Sequence, residues 1–186
     1  MGTRGEMDTA VENPRRITTP SSSSSAPKLP HLRINAPFVS KVAKSLQDGH
    51  IVLVEGQTGC GKSVRLPRLL MEESGLSPVL CAQPRRLAAR AIAHRVAEEL
   101  QEPLGNRVGY HIGQQRQGHR CELLFVTAGI FLEQLRTMGE KAISKYRVIV
   151  LDEVHERSVE NDLILTCVKQ LLLSGVKVTP RPASLD

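Results

Sequence analysis

The chain has 186 residues, 40% of them hydrophobic and 24% charged, the balance of one globular domain with a real core plus tails. Aromatic residues make up 3% and Trp is absent, which argues against recognition built on many stacking platforms. The net charge of +6 and pI near 9.4 permit a polyanionic partner without requiring one, because a solvated basic face has the same composition.

Cys60, Cys81, Cys121 and Cys167 are isolated, with no CxxC pair and no metal-ligand spacing to the histidines. They read as reduced small hydrophobes, and a cytoplasmic or nuclear location is expected from them. No stretch approaches the ~20 apolar residues of a membrane span, and no signal-peptide core is visible near the N-terminus.

Residues 1–28 read as a disordered tail: Pro14, Pro20, Pro27 and the run Ser21 to Ser25 occur there with few large apolar side chains. The acids Glu6, Asp8 and Glu12 count against an organelle leader. A domain is expected over residues 29–176. Asn35 followed by Pro37 is a helix start, and Val39, Val42, Ala43 and Leu46 make its apolar stripe. Asp48-Gly49 turns the chain into a strand over His50 to Val54.

Then comes Gly56-Gln57-Thr58-Gly59-Cys60-Gly61-Lys62-Ser63, the pattern GxxxxGK[ST] of a phosphate-binding loop between a strand and a helix. The glycines let the backbone curl so that its N–H groups face anionic phosphates. The positive end of the helix expected over Lys62 to Glu73 adds to the attraction. Lys62 is expected to reach the β- and γ-phosphates of a nucleotide, and the Ser63 hydroxyl to ligate Mg²⁺. Pro67 is tolerated near that helix start and Gly75 can end it.

Pro78 to Ala82 is a second strand, running into Gln83-Pro84-Arg85-Arg86 and a helix to Leu100 with Ala88, Ala91, Ile92, Val96 and Leu100 as its stripe. Arg85 and Arg86 fall at the strand-to-helix turn, at the edge of the sheet, where two solvated arginines are the plain reading. Further strands are expected at Val108 to Ile112, Cys121 to Thr127 and Arg147 to Leu151, with a polar, basic turn over Gln114 to Arg120. Helices are expected at Gly129 to Thr137 and Asn161 to Ser174, the latter with Leu163, Ile164, Cys167, Val168, Leu171 and Leu172 on one side. Residues 177–186, with Pro180 and Pro182, read as unstructured.

Alternating short apolar strands and amphipathic helices imply an α/β fold with a mostly parallel sheet covered on both faces. Ligands bind such sheets at the carboxyl ends of the strands. The phosphate loop and the carboxylates Asp152-Glu153 both fall at strand ends, so they can share one site. There Asp152, with Glu153 beside it, can hold Mg²⁺, and Glu153 can polarise the water that attacks the γ-phosphate. His155 can sense the γ-phosphate by hydrogen bonding or serve as a structural partner of Glu156 or Arg157.

The motif set resembles the DEAH/DExH-box RNA helicases of superfamily 2. Gly56 to Ser63 resembles motif I; Gln83-Pro84-Arg85-Arg86 with Ala88-Ala89 resembles motif Ia. Val108-Gly109-Tyr110-His111-Ile112 looks like the VGYxI segment, and Val126-Thr127-Ala128-Gly129-Ile130 like motif Ib. Asp152-Glu153-Val154-His155-Glu156-Arg157 is similar to motif II, with Val where DEAH members have Ala; Gly113 stands where many members have a basic residue. The resemblance covers about residues 29 to 174.

It implies the first RecA-like domain, a P-loop NTPase using ATP with Mg²⁺, or another NTP. It assigns catalysis to Lys62, Glu153 and His155, and gives Arg85, Arg86, Thr127 and Gly129 contacts to the sugar-phosphate backbone of single-stranded RNA. Motif III and a second RecA-like domain do not follow in this sequence. Hydrolysis is therefore expected to be weak or absent in this chain alone, and unwinding absent. The alternatives are a non-catalytic ATP- and RNA-binding adaptor, or inhibitory isoform, and a small-molecule kinase on the same loop.

Overall fold

The computed structural model describes residues 15–18, 34–48 and 51–174. Its centre is a five-stranded sheet built from β3 (Val79–Gln83), β4 (Val108–Ile112), β5 (Gln115–Gln117), β6 (Leu123–Thr127) and β7 (Val148–Leu151), in the order β5-β4-β6-β3-β7. All neighbours are parallel except β5, which turns back antiparallel on β4. The basic turn expected over Gln114 to Arg120 thus contains a short edge strand.

Strand alternation divides the core in two. Val79 and Cys81 of β3, Leu123 and Phe125 of β6 and Val148 of β7 face one side. There they meet α1 (Ala36–Asp48), α2 (Arg65–Glu72) and α3 (Arg86–Glu99). Leu80, Ala82, Leu124 and Val126 face the other, against α4 (Ala128–Met138), α5 (Glu140–Ile143) and α6 (Val159–Leu173). Every residue of β3 and β6 is buried, which is why both read as continuous apolar runs.

Several helix ends have a visible chemical cause. Asn35 Oδ1 accepts the Phe38 N–H at 3.1 Å, the expected cap of α1. Gly75 follows α2 at φ +59°, and the Leu76 N–H returns to the Leu70 carbonyl at 3.2 Å. The Ser158 hydroxyl accepts the Asn161 N–H, so α6 starts before the expected Asn161. The short α5 is absent from the sequence reading.

The buried face of α3 differs from the expected stripe. Ala89, Ala93, Val96 and Ala97 are buried, whereas Ala91 is exposed and Leu87 is 81% exposed. Alanines stand on both faces of this helix, so hydrophobicity alone chooses no face; burying the alanine row lets the helix backbone approach the sheet closely.

The strand before the phosphate loop is β2 (Val52–Glu55), and it pairs in parallel with β1 (Arg15–Thr18), from Arg15 opposite Val52 to Thr18 opposite Glu55. Residues 1–28 therefore contain a strand where a disordered tail is expected. Arg15 to Thr18 ends in the β-branched pair Ile17-Thr18, and an edge of β2 supplies the backbone partners. The rest of that tail, the turn at Gly49 and residues 177–186 lie outside the described residues.

Candidate nucleotide and polyanion site

The phosphate loop leaves β2 at Glu55 and enters α2 at Arg65, three residues later than the helix start expected at Lys62. The difference is a tight turn: the Arg65 and Leu66 N–H groups both donate to the Gly61 carbonyl, at 2.8 and 3.0 Å. Gly59 and Gly61 adopt φ of +82° and +104°, a backbone region that L side chains rarely enter. No side chain caps α2; the Gly61 carbonyl takes its first two N–H groups instead, and the third residue, Pro67, has none.

The loop is held from below. Cys60 is buried, and its carbonyl accepts the Ile34 N–H at 2.9 Å, tying the loop to the entry of α1. Lys62 Nζ folds back onto the loop, donating to the carbonyls of Gly56 at 2.6 Å and Gln57 at 2.9 Å. A phosphate in the loop offers this ammonium a charged acceptor in place of two neutral ones.

The acidic turn stands on β7. The Asp152 N–H donates to the Ala82 carbonyl at 3.0 Å, extending the β3–β7 ladder by one residue past Leu151. Asp152 is 7% exposed. Its Oδ1 accepts the Glu153 N–H at 3.0 Å and its Oδ2 accepts Gln83 Nε2 at 2.7 Å. Burial, then the negative charge of Asp152, push the adjacent Cys81 thiol well above its ordinary range, so it is a neutral packing group.

Glu153 and Arg157 take φ of +52° on either side of a single 3₁₀ turn, Val154–Glu156. Left-handed backbone at two non-glycine residues costs energy, and such strain collects where a side chain must be aimed. Arg157 is locked by Asp162 through bonds of 3.0 Å from Nε and Nη2. The exposed His155 has Nδ1 3.2 Å from Glu153 Oε2, a partner that the expectation of Glu156 or Arg157 did not name.

The loop and Asp152 share a side of the sheet. Cys60 and Val64 belong to the same core as Val148 and Val150, and Asp152 is the next residue of that alternation. The donor chemistry fits magnesium: a hydroxyl at Ser63 and a carboxylate at Asp152 are hard oxygen ligands. Among the described residues no cluster of His, Cys, Asp or Glu forms a cage for a metal ion. An ion that arrives with nucleotide phosphates needs only one or two carboxylates from the protein.

At the turn from β3 to α3, Arg85 is exposed and extended, with Nη2 2.7 Å from Glu156 Oε1. Arg86 lies over Gly113, where a Cβ would meet its Nη2 at 2.9 Å. That guanidinium can move aside, so the local reason for glycine at this position is its φ of +53°. Gly129 is exposed on the first turn of α4, whereas Thr127 is buried at the end of β6.

Two features were not assigned from sequence. One is Gln83, which touches the acid; the resemblance to motif Ia includes it without giving it a role, and only strand register reveals that it faces Asp152. The other is the Arg85–Glu156 ion pair, whose partners are 71 residues apart in the chain.

A family model described as DEAD/DEAH box helicase matches residues 37–181. The chain is 46% identical over 137 residues to zinc finger CCCH domain-containing protein 4 of Oryza sativa subsp. japonica, covering 72% of this chain and 13% of that protein. It is 42% identical over 171 residues to the DExH-box ATP-dependent RNA helicase DExH8 of Arabidopsis thaliana, covering 89% and 16%. The crystal structure of the Escherichia coli DEAH/RHA helicase HrpB matches with a TM-score of 0.70 and 32% identity, over 81% of this chain and 20% of that one. The sheet is thus a helicase RecA-like domain. The chain spans less than a fifth of the length of either curated relative.

Proposed function

This chain belongs to the DEAD/DEAH box helicase family, and from that premise we propose that it is the ATP-binding, RNA-contacting part of an ATP-dependent RNA helicase. Gly56 to Ser63 cradle the triphosphate, Lys62 pairs with its β- and γ-phosphates, and Ser63 and Asp152 hold Mg²⁺. Glu153 orients and deprotonates the attacking water, with His155 beside it as the link to the γ-phosphate. Arg85, Arg86, Thr127 and Gly129 meet the RNA backbone, Arg through charge and Gly129 by letting the strand come close. When bound, the magnesium ion neutralises charge developing on the phosphates.

The observation that most supports this reading is the buried Asp152, on the sheet face that also packs the phosphate loop. A solvated acidic turn has no reason to bury a carboxylate under two directed hydrogen bonds. The protein works in the cytoplasm or nucleus.

The test is binding of a fluorescent ATP analogue with Mg²⁺. Lys62→Ala should weaken it about tenfold or more, the worth of a charge-assisted hydrogen bond. Equal affinity in wild type and variant removes the reading. RNA-stimulated phosphate release that Glu153→Gln abolishes separates the enzyme from a non-catalytic adaptor.

A further inference from the structure

Gln83, Thr127 and Asp152 are buried polar residues on one row across the sheet. Gln83 on β3 is in register with Thr127 on β6, and the extended β3–β7 ladder brings Asp152 beside it. Gln83 is 2% exposed, a costly place for a primary amide unless its hydrogens are used. One goes to Asp152 Oδ2 at 2.7 Å, and Cys81 Sγ lies 3.6 Å from the same nitrogen.

The effect on Asp152 is geometric. An ionised carboxylate offers about four acceptor positions. The Glu153 N–H takes one on Oδ1 and the Gln83 amide takes one on Oδ2, which fixes the carboxylate plane and leaves one lone pair on each oxygen. A Met of similar length fills the same space and donates nothing. A Glu puts a second negative charge against the first.

We propose that Gln83 is a positioning residue: its buried amide holds the Asp152 carboxylate in the orientation that receives the metal ion of a metal–nucleotide complex. The proposal rests on the reading of Asp152 as the metal-holding acid. Residues that orient a metal ligand typically change metal affinity about 10–100-fold when removed.

The experiment uses the full chain and two probes: a fluorescent ATP analogue titrated with Mg²⁺ or held in EDTA, and Mn²⁺ followed by the paramagnetic resonance of its free form with ATP present. In Gln83→Met the metal concentration for half-maximal effect should rise about tenfold, and more in Gln83→Glu, while binding of the analogue in EDTA stays within about twofold of wild type, because the amide acts on the metal ligand alone. Asp152→Asn should raise the metal requirement at least as far, and Gln83→Met should add nothing to it.

An unchanged metal requirement in both Gln83 variants, with Asp152→Asn impaired, overturns the positioning role and leaves Asp152 intact. So does additivity of the two substitutions. An unchanged requirement in Asp152→Asn overturns the reading beneath it instead. Loss of the folded circular-dichroism transition in both Gln83 variants would make Gln83 a packing residue and overturn the proposal too.

Discussion

At the scale of single residues, two glycines separate folding from function. A Cβ on Gly109, within β4, would meet the Gln117 carbonyl oxygen and stand 2.6 Å from Cys121 Sγ. Gly109→Ala should cost about 1–3 kcal/mol, the usual penalty of overpacking, read from a urea midpoint. A Cβ on Gly129 would meet nothing within 4 Å, and the residue is the second of α4. Alanine there should stabilise the fold by up to about 1 kcal/mol through helix propensity. The same Gly129→Ala change should weaken binding of a labelled single-stranded RNA several-fold, because a methyl group then stands where the backbone approaches. Undiminished RNA affinity would leave Gly129 without a ligand role. The phosphate loop was legible at this scale because its residue types and spacing are themselves the chemistry. Gln83 was not, because its role comes from the strand register that sets it against Asp152, 69 residues away.

Between elements, the contact that carries most consequence joins the β3–α3 turn to the acidic turn. Arg85 and Glu156 are 2.7 Å apart, with the arginine side chain 73% exposed. A pair so open to water contributes at most about 1 kcal/mol to stability. Its larger effect is competition, since a phosphate and Glu156 both seek the same guanidinium. Glu156→Gln should therefore leave the unfolding midpoint nearly unchanged. It should tighten RNA binding a few-fold at low salt, with the gain shrinking as salt screens the phosphate contact. Anisotropy titrations of labelled RNA across a salt series check this; weaker binding in the variant would mean that Glu156 presents Arg85 to the RNA rather than withholding it. The elements themselves were largely readable. β3 and β6 are bounded apolar runs, and α1 has both a cap and a stripe. The helix α3 was readable as a helix but not in its buried face, because Ala88 and Ala91 carry the same apolar signal as Ala89 and Ala93.

Across the whole molecule, two bodies of secondary structure carry the proposed nucleotide site. The acids and the turns at Arg85 and Thr127 ride on the five-stranded sheet, whereas the phosphate loop rides on β2, whose ladder partner is β1. The alternation of strands and helices could be read along the chain, but strand order could not: nothing local in Val52–Glu55 distinguishes pairing with β1 from pairing with β7. Packing joins the two bodies, since Val52 and Val54 lie against the same core as Val79 and Phe125. Side-chain packing without a shared ladder leaves the strand easier to open, because fewer backbone hydrogen bonds must break together. Amides of β2 should therefore exchange with deuterium faster than those of β3 and β6, which are buried along their full length. Magnesium–ATP, gripped by Lys62 on one body and Asp152 on the other, should slow exchange at β2 and at the 152–156 turn together. The protection should vanish in both places with either Lys62→Ala or Asp152→Asn. Slowing confined to the phosphate loop, or β2 amides as slow as those of β6 before nucleotide is added, would show that the bodies were already one and that the ligand does not bridge them.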